Sequence, residues 1–188
     1  MNARMMIGGA VAAIALLSGT ATVAAAHSDD NPTPPRQLAA LRAAADDLHN
    51  IAVAEQHGYT LLADADGIAC IDMPNEGGMG VHWASSTLVG DPTIAVDQPE
   101  ALVYAPGPDG TLRLAAAEYV VIKAAWDAAH PNPPTLFGHD FDVTTAPNRF
   151  GLPAFYSLHV WAWKHNPTGA FADNNPNVSC DSAKAEAK

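Results

Sequence analysis

Residues 101–122 read Ala101-Leu102-Val103-Tyr104-Ala105-Pro106-Gly107-Pro108-Asp109-Gly110-Thr111-Leu112-Arg113-Leu114-Ala115-Ala116-Ala117-Glu118-Tyr119-Val120-Val121-Ile122. Two apolar runs flank a Pro-Gly-Pro-Asp-Gly turn, which predicts a β-hairpin and therefore an antiparallel sheet. Upstream, Val81-His82-Trp83 predicts a short strand leaving a Gly-rich loop at 73–80, and Asp66-Gly67 predicts a turn between strands at 59–63 and 68–72. Further upstream, Leu38, Leu41, Ala45, Leu48 and Ala52 recur at helical spacing up to Gly58. That spacing predicts one long helix, with Thr33 as its cap and Pro34 at its first position. Downstream, residues 123–130 predict a short helix ended by Pro131-Asn132-Pro133-Pro134, residues 155–163 a last strand, and residues 166–180 a Pro/Asn-rich coil. The expected fold is α+β: one domain over residues 36–180, its long N-terminal helix packed on a mostly antiparallel sheet.

The chain has 188 residues, 48% of them hydrophobic and 15% charged. That apolar content is enough for a core and excludes a disordered acidic tail. Twenty acidic residues against nine basic ones give a net charge of −11, which argues against nucleic acid and anionic membrane surfaces as partners. A small-molecule ligand is the partner class left.

Residues 1–26 read as a signal peptide. Arg4 supplies a basic start, residues 7–23 are apolar and small, and Ala24-Ala25-Ala26 ends the run with a signal-peptidase pattern. Residues 27–35 then form a polar, Pro-rich linker, and residues 181–188 a frayed tail. No other stretch is apolar enough to span a bilayer, so no membrane association is expected after cleavage. Cleavage leaves 8 basic and 20 acidic residues, net −12. The expected location is periplasmic or extracellular. Both cysteines, Cys70 and Cys180, survive cleavage, and in an exported chain two cysteines most simply form one disulfide. Closing so long a loop is worth about 4–5 kcal/mol at most. No C-x-x-C pair supports a cysteine metal site.

The standard catalytic and nucleotide-binding patterns are missing: there is no H-E-x-x-H, no G-x-S-x-G and no phosphate loop ending in Lys-Ser/Thr. Gly77-Gly78-Met79-Gly80 reads as a tight backbone passage. The histidines carry more information. By the helical step His49 falls close to the apolar face of the N-terminal helix, and His82 and His159 stand mid-strand. Alternation in 111–122 places Glu118 with Leu112, Leu114, Val120 and Ile122 on a buried face. A buried carboxylate needs a charge or a metal beside it. His49, His82, Glu118 and His159 are therefore candidate ligands for a transition metal ion: zinc, iron, copper or manganese. Trp83, Trp161 and Trp163 are expected to wall the pocket. The competing reading is a hydrogen-bonded core pair of Glu118 with a histidine or an arginine.

The segments Gly78-Met79-Gly80-Val81-His82-Trp83, Pro99-Glu100-Ala101-Leu102-Val103-Tyr104, Ala117-Glu118-Tyr119-Val120, Leu158-His159-Val160-Trp161-Ala162-Trp163 and Asn175-Pro176-Asn177-Val178-Ser179-Cys180 resemble a family of uncharacterised exported bacterial proteins. The resemblance covers most of residues 36–180. It implies secretion and a single domain, and it marks His49, His82, Glu118 and His159 as motif positions. This sequence departs from that pattern at His57, which is left out of the site. Two functions are expected from these observations: a secreted metal-binding protein, or a non-catalytic module of the cell envelope whose aromatic pocket takes a small ligand.

Overall fold

The computed structural model describes residues 34–181. The signal peptide, most of the linker and the last seven residues of the tail lie outside the described residues. Helix α1 covers Pro34–Ala44, a single 3-10 turn Asp47–His49, and helix α2 Ile51–Gln56. Strands β1 (Thr60–Leu61), β2 (Cys70–Met73) and β3 (Gly77–Ala84) follow, then helix α3 (Ser86–Val89) and strands β4 (Ala101–Pro106) and β5 (Leu112–Ile122). Helix α4 (Lys123–Asp127) precedes β6 (Thr135–Leu136), β7 (His139–Asp140), β8 (Asp142–Thr144) and β9 (Phe155–Val160).

The molecule is a mostly antiparallel sheet with a few short helices, which corrects the expected α+β fold: among the described residues there is no long N-terminal helix. α1 ends at Ala44, and Asn50 caps a separate second helix. Short polar side chains compete for backbone hydrogen bonds and favour caps over helix interiors. Asn50 leaves the helical region at φ −92° and ψ 114°, and its side chain accepts the Ala52 N–H to start α2. Tyr104 fixes the break from below by donating its hydroxyl to the Leu48 carbonyl at 2.6 Å. Leu41, Ala45, Leu48 and Ala54 stay buried throughout. Ala52, the next residue of the expected series, is exposed, so the apolar spacing shifts at the interruption.

Seven strands make the main sheet in the order β1-β3-β4-β5-β9-β8, with β2 pairing the same edge of β3 as β1. β6 and β7 form a separate two-stranded ribbon. The hairpin of 101–122 forms as β4 and β5. The turn at Asp66-Gly67 does not join a hairpin: β1 and β2 each pair with β3 rather than with each other. The Gly-rich segment is mostly strand. Gly77 has φ 88°, and a Cβ there would lie 2.1 Å from the Asn175 carbonyl. Gly80, at φ 99°, would meet the Tyr104 carbonyl at 2.8 Å. Glycine is required at both places because the C-terminal coil and β4 press directly against β3.

The sheet has two differently covered faces. One carries Trp83, Leu102, Tyr104, Ala117, Tyr119, Leu158 and Val160 and packs against Leu41, Ala45 and Leu48 of the helical segment. The Cys70–Cys180 disulfide, with Cα atoms 5.6 Å apart, closes this core. On the other face, Val103, Ala116 and Trp161 pack under Val178 of the C-terminal coil.

Candidate metal centre

The second face also carries the histidines. In β5, Glu118 lies opposite Ala101 of β4 on one side and His159 of β9 on the other. His82 of β3 lies opposite Val103, two residues along β4 from Ala101. Paired residues on adjacent strands share a face. Small Ala101 lets the long side chains of His82 and Glu118 meet above β4. The parity of β5 differs from the expected one. A bulge at Ala115 separates the pairs Tyr104↔Leu114 and Val103↔Ala116. An extra residue flips the alternation, so Leu112 and Leu114 fall on the helix-covered side and Glu118 on the other.

His82 and His159 face each other through their Nε2 atoms at 3.2 Å. His82 Nε2 is 3.3 Å from Glu118 Oε2, and His159 Nδ1 is 3.7 Å from Glu118 Oε1. Among the described residues these three form a group whose ligand atoms lie within 4.8 Å of one another and can hold a metal ion. The side chains of His82, Glu118 and His159 are 3%, 12% and 1% exposed. Asp173, from the C-terminal coil, places Oδ1 3.5 Å from His159 Nδ1.

Burial sets the charges. It pushes His82 down to about 3, with the facing charge of His159 adding to the effect. Burial also lowers His159, but Glu118 and Asp173 outweigh it and raise the imidazole above its ordinary value. Burial raises the Glu118 carboxyl, opposed by His159. The His159 contact holds Asp173 low. His82 is thus a neutral imidazole with a free electron pair to offer. Neither buried Nδ1 makes a close hydrogen bond: His159 Nδ1 has Asp173 at 3.5 Å, and His82 has only the Gly80 backbone as a weak partner. A buried polar atom left unpaired costs about 1–3 kcal/mol.

The fourth expected ligand stands elsewhere. His49 is exposed at the end of the 3-10 turn, edge-on to Trp163 with ring centroids 5.6 Å apart. The helical step that aimed it at the core does not apply once the helix is broken. The three tryptophans do not wall one pocket: Trp161 lies beside His159, whereas Trp83 and Trp163 pack on the helix-covered side. Asp173 was not legible beforehand, because nothing in an Asn- and Pro-rich coil marks one aspartate as facing a buried ring. Compared with family models, curated proteins and solved structures, the chain matches none. The Cys70–Cys180 disulfide is present, and no helix among the described residues is long and apolar enough to cross a membrane.

Proposed function

We propose that this chain is an exported protein that binds one divalent transition metal ion through His82, His159 and Glu118. The observation that carries the reading is the spacing of the ligand atoms. Two atoms bonded to one zinc at ~2.0–2.1 Å in tetrahedral geometry stand about 3.3 Å apart. The separations at His82 Nε2, 3.2 Å to His159 and 3.3 Å to Glu118, match that edge. A purely hydrogen-bonded pair explains the group less well. One His82 Nε2 proton serves only one of two close acceptors. With both Nε2 atoms on a metal, His159 Nδ1 is free to donate to Asp173. That is the carboxylate–histidine–metal arrangement which fixes a ligand's tautomer. Two imidazoles and one carboxylate suit zinc or ferrous iron, and three protein ligands leave a coordination position for water or a small ligand. Export is supported by the signal-peptide pattern of residues 1–26, by the disulfide, and by the likeness to uncharacterised exported bacterial proteins.

The test is elemental analysis of untagged protein from metal-replete medium, followed by zinc titration of the wild type and His82→Ala. One equivalent of one metal, released by chelator, is expected. The variant should stay cooperatively folded and bind zinc at least about a hundredfold more weakly. Full stoichiometric metal in His82→Ala, or no binding by the wild type, overturns the reading.

A further inference from the structure

Beside the metal group lies a cavity of about 190 Å³. Its wall includes Leu62, Val120, Phe150, Leu152 and Phe155. Among the described residues, Glu118 is the only ionisable group on that wall. Glu118 therefore belongs to both sites: one oxygen stands 3.3 Å from His82 Nε2, and the side chain borders the cavity. The roof is built. Asn148 accepts the N–H groups of Phe150 and Leu152 and donates to the Leu152 carbonyl at 2.8 Å. Arg149 pairs with Asp64 at 2.6 Å and anchors the same loop to the turn after β1.

We propose that this cavity receives the apolar tail of a small monocarboxylic acid whose carboxylate occupies the open position of the metal. The inference rests on the metal reading above. Two neutral imidazoles and one carboxylate cancel a single charge of a divalent ion. Asp173 offsets part of the remainder from outside the ligand set, and an oxygen anion is an ordinary fourth ligand for such an ion. Asp173 stands against the His159 ring. Glu118 is the side chain that joins the cavity to the metal group, and an apolar wall rejects a second charge there. An apolar cavity of about 150 Å³ admits a benzene-sized molecule. The volume here accordingly suits a tail of about five or six carbon atoms.

The test is calorimetric titration of the zinc-loaded, full-length mature protein with acetate and with hexanoate. Four further methylene groups buried in the cavity should make hexanoate roughly a hundredfold tighter than acetate. Ala84→Phe, which fills the cavity from β3, should weaken hexanoate at least tenfold and leave zinc and acetate binding unchanged. Leu152→Ala, which enlarges it, should move the preference from hexanoate toward octanoate and keeps the test open if Ala84→Phe does not fold. Zinc binding with equal affinity for acetate and hexanoate overturns the cavity assignment and leaves the metal reading standing. Absence of zinc binding, read before any acid is added, overturns both.

Discussion

The two faces of the sheet bury polar groups in different ways. On the helix-covered face three buried tyrosine hydroxyls have backbone partners. Tyr104 donates to the Leu48 carbonyl, Tyr119 to the Val96 carbonyl at 2.6 Å, and Tyr59 to the Pro99 carbonyl at 2.8 Å. These bonds staple segments to one another. On the coil-covered face His82, Glu118 and His159 instead face one another, side chain to side chain. A fold that only needed stability would fill such positions with apolar side chains, since a half-satisfied buried network is worse than none. The difference separates architecture from candidate chemistry within one small sheet.

Substitutions on each face should separate in the same way. The largest effect on stability is expected on the helix side. Leu41 is fully buried between α1 and the sheet, and Leu41→Ala should cost about 2–5 kcal/mol. Denaturant unfolding measures it. Zinc affinity, measured on protein that is still folded, should be unchanged. A loss of zinc affinity in this variant, with the fold intact, would mean that the two faces are not independent.

Most of the sheet was legible in the sequence, because the turn at 106–110 and the apolar runs around it are local signals. The candidate site was legible in part. His82, Glu118 and His159 stand out as polar residues inside apolar strands, and a strand's period of two survives over short distances. His49 failed for a physical reason. Its placement required an unbroken helical step past Ala44, where α1 ends and the chain goes on into the 3-10 turn Asp47–His49. The Ala115 bulge and Asp173 depend on pairing partners more than 10 residues away, so nothing local records them.

A middle-sized effect concerns the second buried carboxyl. Glu100 is 2% exposed and accepts the Val120 N–H at 3.0 Å. Burial raises it to about 8, against the opposing pull of that hydrogen bond. In the unfolded chain it ionises near its ordinary value of 4.5. The folded state therefore holds a proton that the unfolded state has lost between these limits. Its contribution to stability should fall as pH rises from about 4.5 to 8 and level off above. Glu100→Gln should flatten that decline and leave the variant more stable than wild type at pH 8, by of the order of 2 kcal/mol. Urea midpoints at pH 5 and pH 8 decide it. An unchanged difference between the two pH values would place the titration elsewhere.

The smallest effect tests why the N-terminal helix is in two pieces. Asn50 caps α2 through the Ala52 N–H at 3.0 Å, a local contribution of about 1 kcal/mol. If the cap alone made the break, Asn50→Ala would let α1 and α2 fuse, raising helix content and freeing the Leu48 carbonyl from Tyr104. The Tyr104 hydroxyl reaches that carbonyl from the far side of the core, and Leu48 itself is 6% exposed. Fusion would require both to move. The expected outcome is therefore a loss of about 1 kcal/mol with unchanged far-ultraviolet circular dichroism. A rise in helix content would show instead that the break is local, and that the helix-covered face tolerates a continuous helix.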